Sequence, residues 1–215
     1  DARGFPKSFD EKNQFKFSMI PTNAALIRSG PAVDYNRATR SVARANGWIF
    51  IIPLQHRTSY GYVYNSHIST IQEIEDDLAN FLKGECVLID EGQKCLSFPN
   101  YAQRRIFDGS VLRIGNAAQF LEPLEATAIG AAVAQVSAFS NWPLGRMKLS
   151  RKKMKILDSD LNVFNNWFYR YHMSLGLFVG WHYAQGSSFK TSFWDYAKNN
   201  FFESWAALRM SQDES

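Results

Sequence analysis

WIFIIPLQHRTSYGYVYN, residues 48–65, is the stretch whose reading decides the fold. Two runs rich in β-branched and aromatic residues, WIFIIPLQ (48–55) and YGYVYN (60–65), flank HRTS, which reads as a hairpin turn. Side chains alternate along a strand, so Trp48, Phe50 and Ile52 fall on one face. KFSMI (16–20), AALIRS (24–29) and SVLRI (110–114) read as further short strands. A hairpin among short strands predicts a mostly antiparallel sheet.

Helices interrupt the strands. Thr70 and Glu73 form the T-x-x-E capping box, Ile71, Ile74, Leu78 and Phe81 follow at helical spacing, and Lys83-Gly84 ends the pattern. Acids crowd the first turns, where the helix dipole favours them. Later, Leu161, Phe164, Phe168, Tyr171, Leu175, Phe178 and His182 step by three and four, with Ser159 or Asp160 able to cap the start. SFWDYAKNNFFESWAAL continues as a helix. The fold class is therefore α+β: residues 1–145 hold the strands and a central helix, and residues 146–215 form a helical region.

The 215 residues suffice for one large domain or two small ones. Hydrophobic residues make up 46% and charged ones 20%, which is globular composition rather than disorder. Much of the net charge of +4 sits in RMKLSRKKMK (146–155), with six bases and no acid. No reading motif accompanies it, so it reads as a solvated loop and helix start, with no nucleic acid as partner. Cys86 and Cys95 lie nine apart, without CxxC or a histidine pair, so no metal site is expected. No apolar run approaches the roughly 20 residues of a membrane span, and no signal peptide is visible. The chain reads as reduced and cytoplasmic. Its first residue is Asp, in mid-pattern, which suggests a fragment.

FLEPLEATAIG (120–130) carries the chemistry. Pro123 suits the first turn of a helix running to about Phe139. Ala126, Ala128, Gly130, Ala131, Ala132 and Ala134 keep that helix slender. Its unpaired N–H groups, behind small side chains, are open to an anion or to the electron-rich edge of a flavin. Glu125 falls in the expected first turn, where it reads either as a cap or as a general base.

These segments resemble flavin-dependent halogenases. GWIFIIP (47–53) is similar to their GWxWxIP motif, with Phe50 in place of the second tryptophan. IGNAAQFLEPLEATAIG (114–130) resembles the flavin-binding and catalytic segment of the tryptophan halogenase branch. DARGF (1–5) and HYAQGSSFKTSFWDYAK (182–198) also have counterparts there, so the similarity touches nearly the whole chain.

The resemblance implies an FAD-dependent monooxygenase-like fold followed by a helical substrate-side region. It implies that FADH2, O2 and chloride or bromide generate hypohalous acid, which halogenates tryptophan or another electron-rich aromatic. Glu125 matches the catalytic glutamate. Thr127 and Ala128 match the halide-binding pair, Ala128 where the family commonly has glycine. Asn116 and Ile129 match flavin-contacting positions. Trp48, Phe50, Ile52 and Pro53 match the motif between flavin and tunnel. A flavin reductase would supply FADH2 to such an enzyme, and a homodimer stays open. The phosphate-binding G-x-G-x-x-G, a matching catalytic lysine and the later substrate-binding segment are not found, so the chain is expected to be an internal piece, inactive alone. A flavin monooxygenase and a non-catalytic binding protein are the alternatives.

Overall fold

The computed structural model describes residues 1–6, 8–33, 38–87, 94–142 and 158–213, the last three as backbone only. Eight strands and four helices are found among them. The strands are β1 (Gln14–Lys16), β2 (Ala24–Gly30), β3 (Arg40–Arg44), β4 (Gly47–Pro53), β5 (Thr58–Tyr64), β6 (Lys94–Ser97), β7 (Tyr101–Gln103) and β8 (Gln119–Phe120). The helices are α1 (Ile71–Gly84), α2 (Thr127–Asn141), α3 (Asp158–Gln185) and α4 (Ser192–Asp213). All strand pairings are antiparallel, as expected. Two units each combine separated stretches of chain: Asp1–Phe17 with Pro99–Phe178, and Ser18–Phe98 with Val179–Ser215. The boundary expected at 145/146 and the basic block 146–155 lie outside the described residues.

The second unit is built on a five-stranded sheet, order β3-β4-β5-β2-β6. Its hairpin is the one expected, with Gly47 opposite Tyr64 and Pro53 opposite Thr58. The turn sits earlier than HRTS: Leu54 N–H donates to the Arg57 carbonyl at 2.8 Å, so Thr58 and Ser59 already belong to β5. One face buries Ile49, Ile51, Tyr60 and Tyr62 against Ile74, Leu78 and Leu82 of α1. The capping box of α1 is present in both directions. On the opposite face Trp48 is buried, and its indole N–H donates to the Tyr183 hydroxyl at 2.7 Å. Two further side chains tie the start of α4 to the β3–β4 connection: Thr191 Oγ1 donates to the Ala45 carbonyl, and Trp194 Nε1 to that of Arg44. Arg44 in turn pairs with Asp77, which also accepts the Tyr62 hydroxyl.

The first unit combines a three-stranded sheet, order β1-β7-β8, with α2 and the part of α3 through Phe178. Phe164 and Phe168 pack against Ile106, Phe107 and Ala118. Asn165 stitches α3 to a loop, donating to the Phe107 carbonyl at 2.8 Å and accepting its N–H at 3.0 Å.

Three expectations need correction. The strand expected at 16–20 lies at Gln14–Lys16 instead, because Phe17 gives its N–H to the Asn100 carbonyl and the chain then turns. SVLRI forms only a bridge from Leu112 to Phe107, because the Asp108 carboxylate accepts the Ser110 and Val111 N–H groups and curls the segment into a loop. Along α3 the buried line leaves the expected stripe after Phe168: it continues through His172, Val179 and Tyr183, while Phe178 is 51% exposed. The expected stripe followed apolar residues and so passed over His172. No helix among the described residues is long and apolar enough to cross a membrane.

His172 has 0% exposure, and burial pushes its imidazole from 6.5 down to about 3. The unfolded chain therefore binds a proton below pH 6.5 that the folded chain refuses until about pH 3. Its contribution to stability is whole above pH 6.5 and falls by roughly 1.4 kcal/mol per pH unit through that window. Urea unfolding at pH 7, 6 and 5 is expected to show this slope, and His172→Gln is expected to flatten it.

Candidate functional site

The expected site residues divide between the two units. Asn116, Thr127, Ala128 and Ile129 belong to the first, together with Glu125. Trp48, Phe50, Ile52 and Pro53 belong to the second.

In the first unit, Asn116, Ala128, Ile129, Ala132, Val133 and Val136 line one shallow cavity of about 520 Å³. Its floor is an apolar face of α2, with Ile129 79% and Val133 59% exposed. The face is open because the helix is slender, and a Cβ added at Gly130 would meet nothing. The cavity's polar groups are Ser137 and Asn116, the latter in the short 3-10 turn Gly115–Ala117. Gly115 adopts φ +55°, a left-handed conformation that favours glycine. Side chains of β7 hold this turn: the Tyr101 hydroxyl donates to the Asn116 carbonyl, and Gln103 Nε2 to that of Ala117 at 3.3 Å. Burial pushes the Tyr101 hydroxyl up to about 12, so it stays protonated as a donor.

Helix α2 starts later than the sequence pattern indicates. Pro123 to Ala126 form a turn, closed by the Ala126 N–H on the Pro123 carbonyl at 3.0 Å. Ala126 is the N-cap, in the left-handed region at φ +49°, and its methyl makes no cap hydrogen bond. Glu125 therefore precedes the helix instead of lying in its first turn. It is half-buried. Thr127 and Ala128 supply the first helical N–H groups, which no side chain of the cap covers. Glu122 is the acid that the fold encloses. At 0% exposure it accepts the Leu124 N–H at 3.2 Å, while its own N–H donates to the Asn100 side chain at 2.9 Å.

In the second unit, GWIFIIP is strand β4. Gly47, at φ +150°, passes so close to β5 that a Cβ would strike the Val63 carbonyl. Trp48 is in the core, Phe50 and Ile52 are half-buried on the same face, and Pro53 ends the strand. Phe50 lies directly over its cross-strand partner Gly61.

Sequence reasoning passed over Tyr101, Gln103 and Gln135, all of which bond the Gly115–Ala117 turn. Gln135 carried a visible signal: it is the longest polar side chain in a helix of mostly small and apolar residues.

A methyl on Gly61 would occupy the Phe50 ring. Gly61→Ala is expected to cost about 1–3 kcal/mol by overpacking. In the Phe50→Ala background the same change is expected to cost far less. Chemical denaturation of the four proteins of this cycle measures the coupling.

The tryptophan halogenase family model matches residues 4–212. Tryptophan 6-halogenase SttH of Streptomyces toxytricini is 32% identical over 91 residues, covering 42% of this chain and 17% of that protein. Tryptophan 7-halogenase KtzQ of Kutzneria sp. (strain 744) is 30% identical over 94 residues, with the same two coverages of 42% and 17%. The chain thus spans less than a fifth of the length of these relatives. Among solved structures, MibH, a lanthipeptide tryptophan 5-halogenase, aligns at TM-score 0.76 and 21% identity over 94% of this chain and 37% of that one. BrvH, a flavin-dependent halogenase from Brevundimonas sp. BAL3, aligns at TM-score 0.68 and 22% identity over 85% and 35%. At these identities the structural likeness establishes the fold.

Proposed function

Because the chain belongs to the tryptophan halogenase family, we propose that it is part of a flavin-dependent halogenase that uses FADH2, O2 and chloride or bromide to halogenate tryptophan or another electron-rich aromatic. The observation that carries this reading is the cavity joining Asn116, Ala128 and Ile129, beside a helix start whose N-cap is an alanine. The open, mainly apolar face of α2 fits a flat ring system, and Asn116 offers one polar group at its margin.

When bound, reduced FAD would give two electrons to O2 and the halide the other two, leaving oxidised FAD, hypohalous acid and water. The residues of this chain do the rest by position. Ile129 and Asn116 bear on the flavin. The N–H groups of Thr127 and Ala128 hold the halide, where the helix dipole favours an anion. The methyl of Ala128 narrows the approach that glycine leaves open in the family. As halogen adds to the aromatic carbon, the Glu125 carboxylate stabilises the cationic ring and then accepts the proton that the halogen replaces. Trp48, Phe50, Ile52 and Pro53, in the second unit, take the role of the family's GWxWxIP motif. The partners are a flavin reductase and an aromatic small molecule.

The test uses the full-length gene product with a flavin reductase, NADH, oxygen, bromide and tryptophan or indole. A product heavier by the halogen is expected. Unhalogenated indole with continuing flavin turnover overturns the reading, and a product heavier by oxygen alone identifies a monooxygenase. Glu125→Gln is expected to lower halogenation by about 100-fold or more and to leave the FAD dissociation constant unchanged. Equal loss of both removes Glu125 from the chemistry.

A further inference from the structure

We infer that Gln135 is a positioning residue for the cofactor-side turn: its amide spans from the Gly115 N–H to a neutral His172 and so fixes the backbone that carries Asn116. The cofactor side of this inference rests on the function proposed above; the hydrogen bonding does not.

Helix α2 has two faces. Ala128, Ile129, Ala132 and Val133 look into the cavity. Ala131 and Gln135, one turn apart, are buried on the other side. Gln135 is completely enclosed. Its Oε1 accepts the Gly115 N–H at 2.9 Å, and its Nε2 lies 3.3 Å from His172 Nε2.

Donor and acceptor counting orders this chain. A backbone N–H can only donate, so the amide oxygen must face Gly115 and the amide NH2 must face His172. An NH2 can only donate, so His172 Nε2 must be the acceptor. The single ring proton is therefore on Nδ1. That nitrogen is buried with no hydrogen-bond partner among the described residues. An imidazolium would set two donors against each other. Burial among aromatic rings, with Phe168 and Tyr171 centroids at 5.7 and 5.8 Å, excludes that form and keeps the acceptor available.

The consequence is mechanical. One wall of the cavity is α2 itself, and the other is the turn that bears Asn116. A side chain of α2 holds that turn by the peptide of its left-handed glycine. The two walls then move together, which is what a site needs in order to hold a flat ligand at fixed distance from a helix terminus.

The experiment compares the full-length gene product with Gln135→Met, which keeps the bulk and removes both hydrogen bonds, and Gln135→Glu. The introduced carboxylate can still accept from Gly115 but offers His172 an anion in place of a donor. In the wild type, 15N spectra are expected to show His172 as the Nδ1–H tautomer, without titration between about pH 5 and 8. In Gln135→Met the Gly115 amide is expected to exchange at least about 10-fold faster, with FAD bound about 5- to 10-fold more weakly. In Gln135→Glu, Gly115 protection is expected to persist while His172 takes up a proton and titrates within that window. A packing role alone would not produce that titration. If Gln135→Met fails to fold, the Gln135→Glu variant decides. An Nε2–H tautomer in the wild type, or a His172 that stays neutral in Gln135→Glu, overturns the inference. So does Gly115 exchange indifferent to Gln135→Met. If exchange and titration behave as expected and the wild type binds no FAD, the positioning role stands and the flavin reading fails.

Discussion

Alternation along one strand governs the second unit. Between Gly47 and Pro53, successive side chains must serve opposite faces of the sheet. Ile49 and Ile51 go to α1, and Trp48 goes to Tyr183. A slip of one residue would exchange these roles, put the indole against Leu78 and Leu82 and take its N–H away from the Tyr183 hydroxyl. Gly47 and Gly61 are consequences of the same commitment. The first lets the hairpin strands approach at Val63, and the second gives the Phe50 ring a place to lie.

The first unit is organised by hydrogen bonds more than by periodicity. Its strands are two or three residues long, and its central turn is held by Tyr101 and Gln103 from β7 and by Gln135 from α2. The two acids of EPLE end in different places. Glu122 is enclosed and organises the backbone around it, with the Leu124 N–H on its carboxylate and Asn100 on its N–H. Glu125 stays half-buried, ahead of a left-handed alanine that turns the chain into α2. Glu125 thus stands ahead of the helix whose first N–H groups belong to Thr127 and Ala128.

What could be read from sequence follows from this contrast. The hairpin and α1 were legible because their signals are local: β-branched alternation and a T-x-x-E box survive without knowledge of tertiary contacts. Strand β3, Arg40–Arg44, was not, because its polar and small residues acquire strand character only by pairing with β4. The start of α2 was misread because Pro123 is equally at home in a turn, and the left-handed φ of Ala126 has no signature in an alanine. The stripe on α3 was read correctly to Phe168 and then missed His172, since hydrophobic periodicity cannot see a polar residue held neutral by its surroundings. Of the cavity lining, Asn116 and Ile129 were singled out by resemblance. The supporting Tyr101, Gln103 and Gln135 act across distances of 14 to 20 residues, beyond any short motif.

The open face of α2 also has a colloidal consequence. Ile129, Val133 and Val136 present an apolar stripe to water, on a helix with no charged residue to interrupt it. Such a surface is a ready contact for a second copy or for any partly unfolded chain. A ligand bound over this face would also shield it from such contacts. Expression of these residues alone would favour association in proportion to concentration, and Val136→Lys would oppose it.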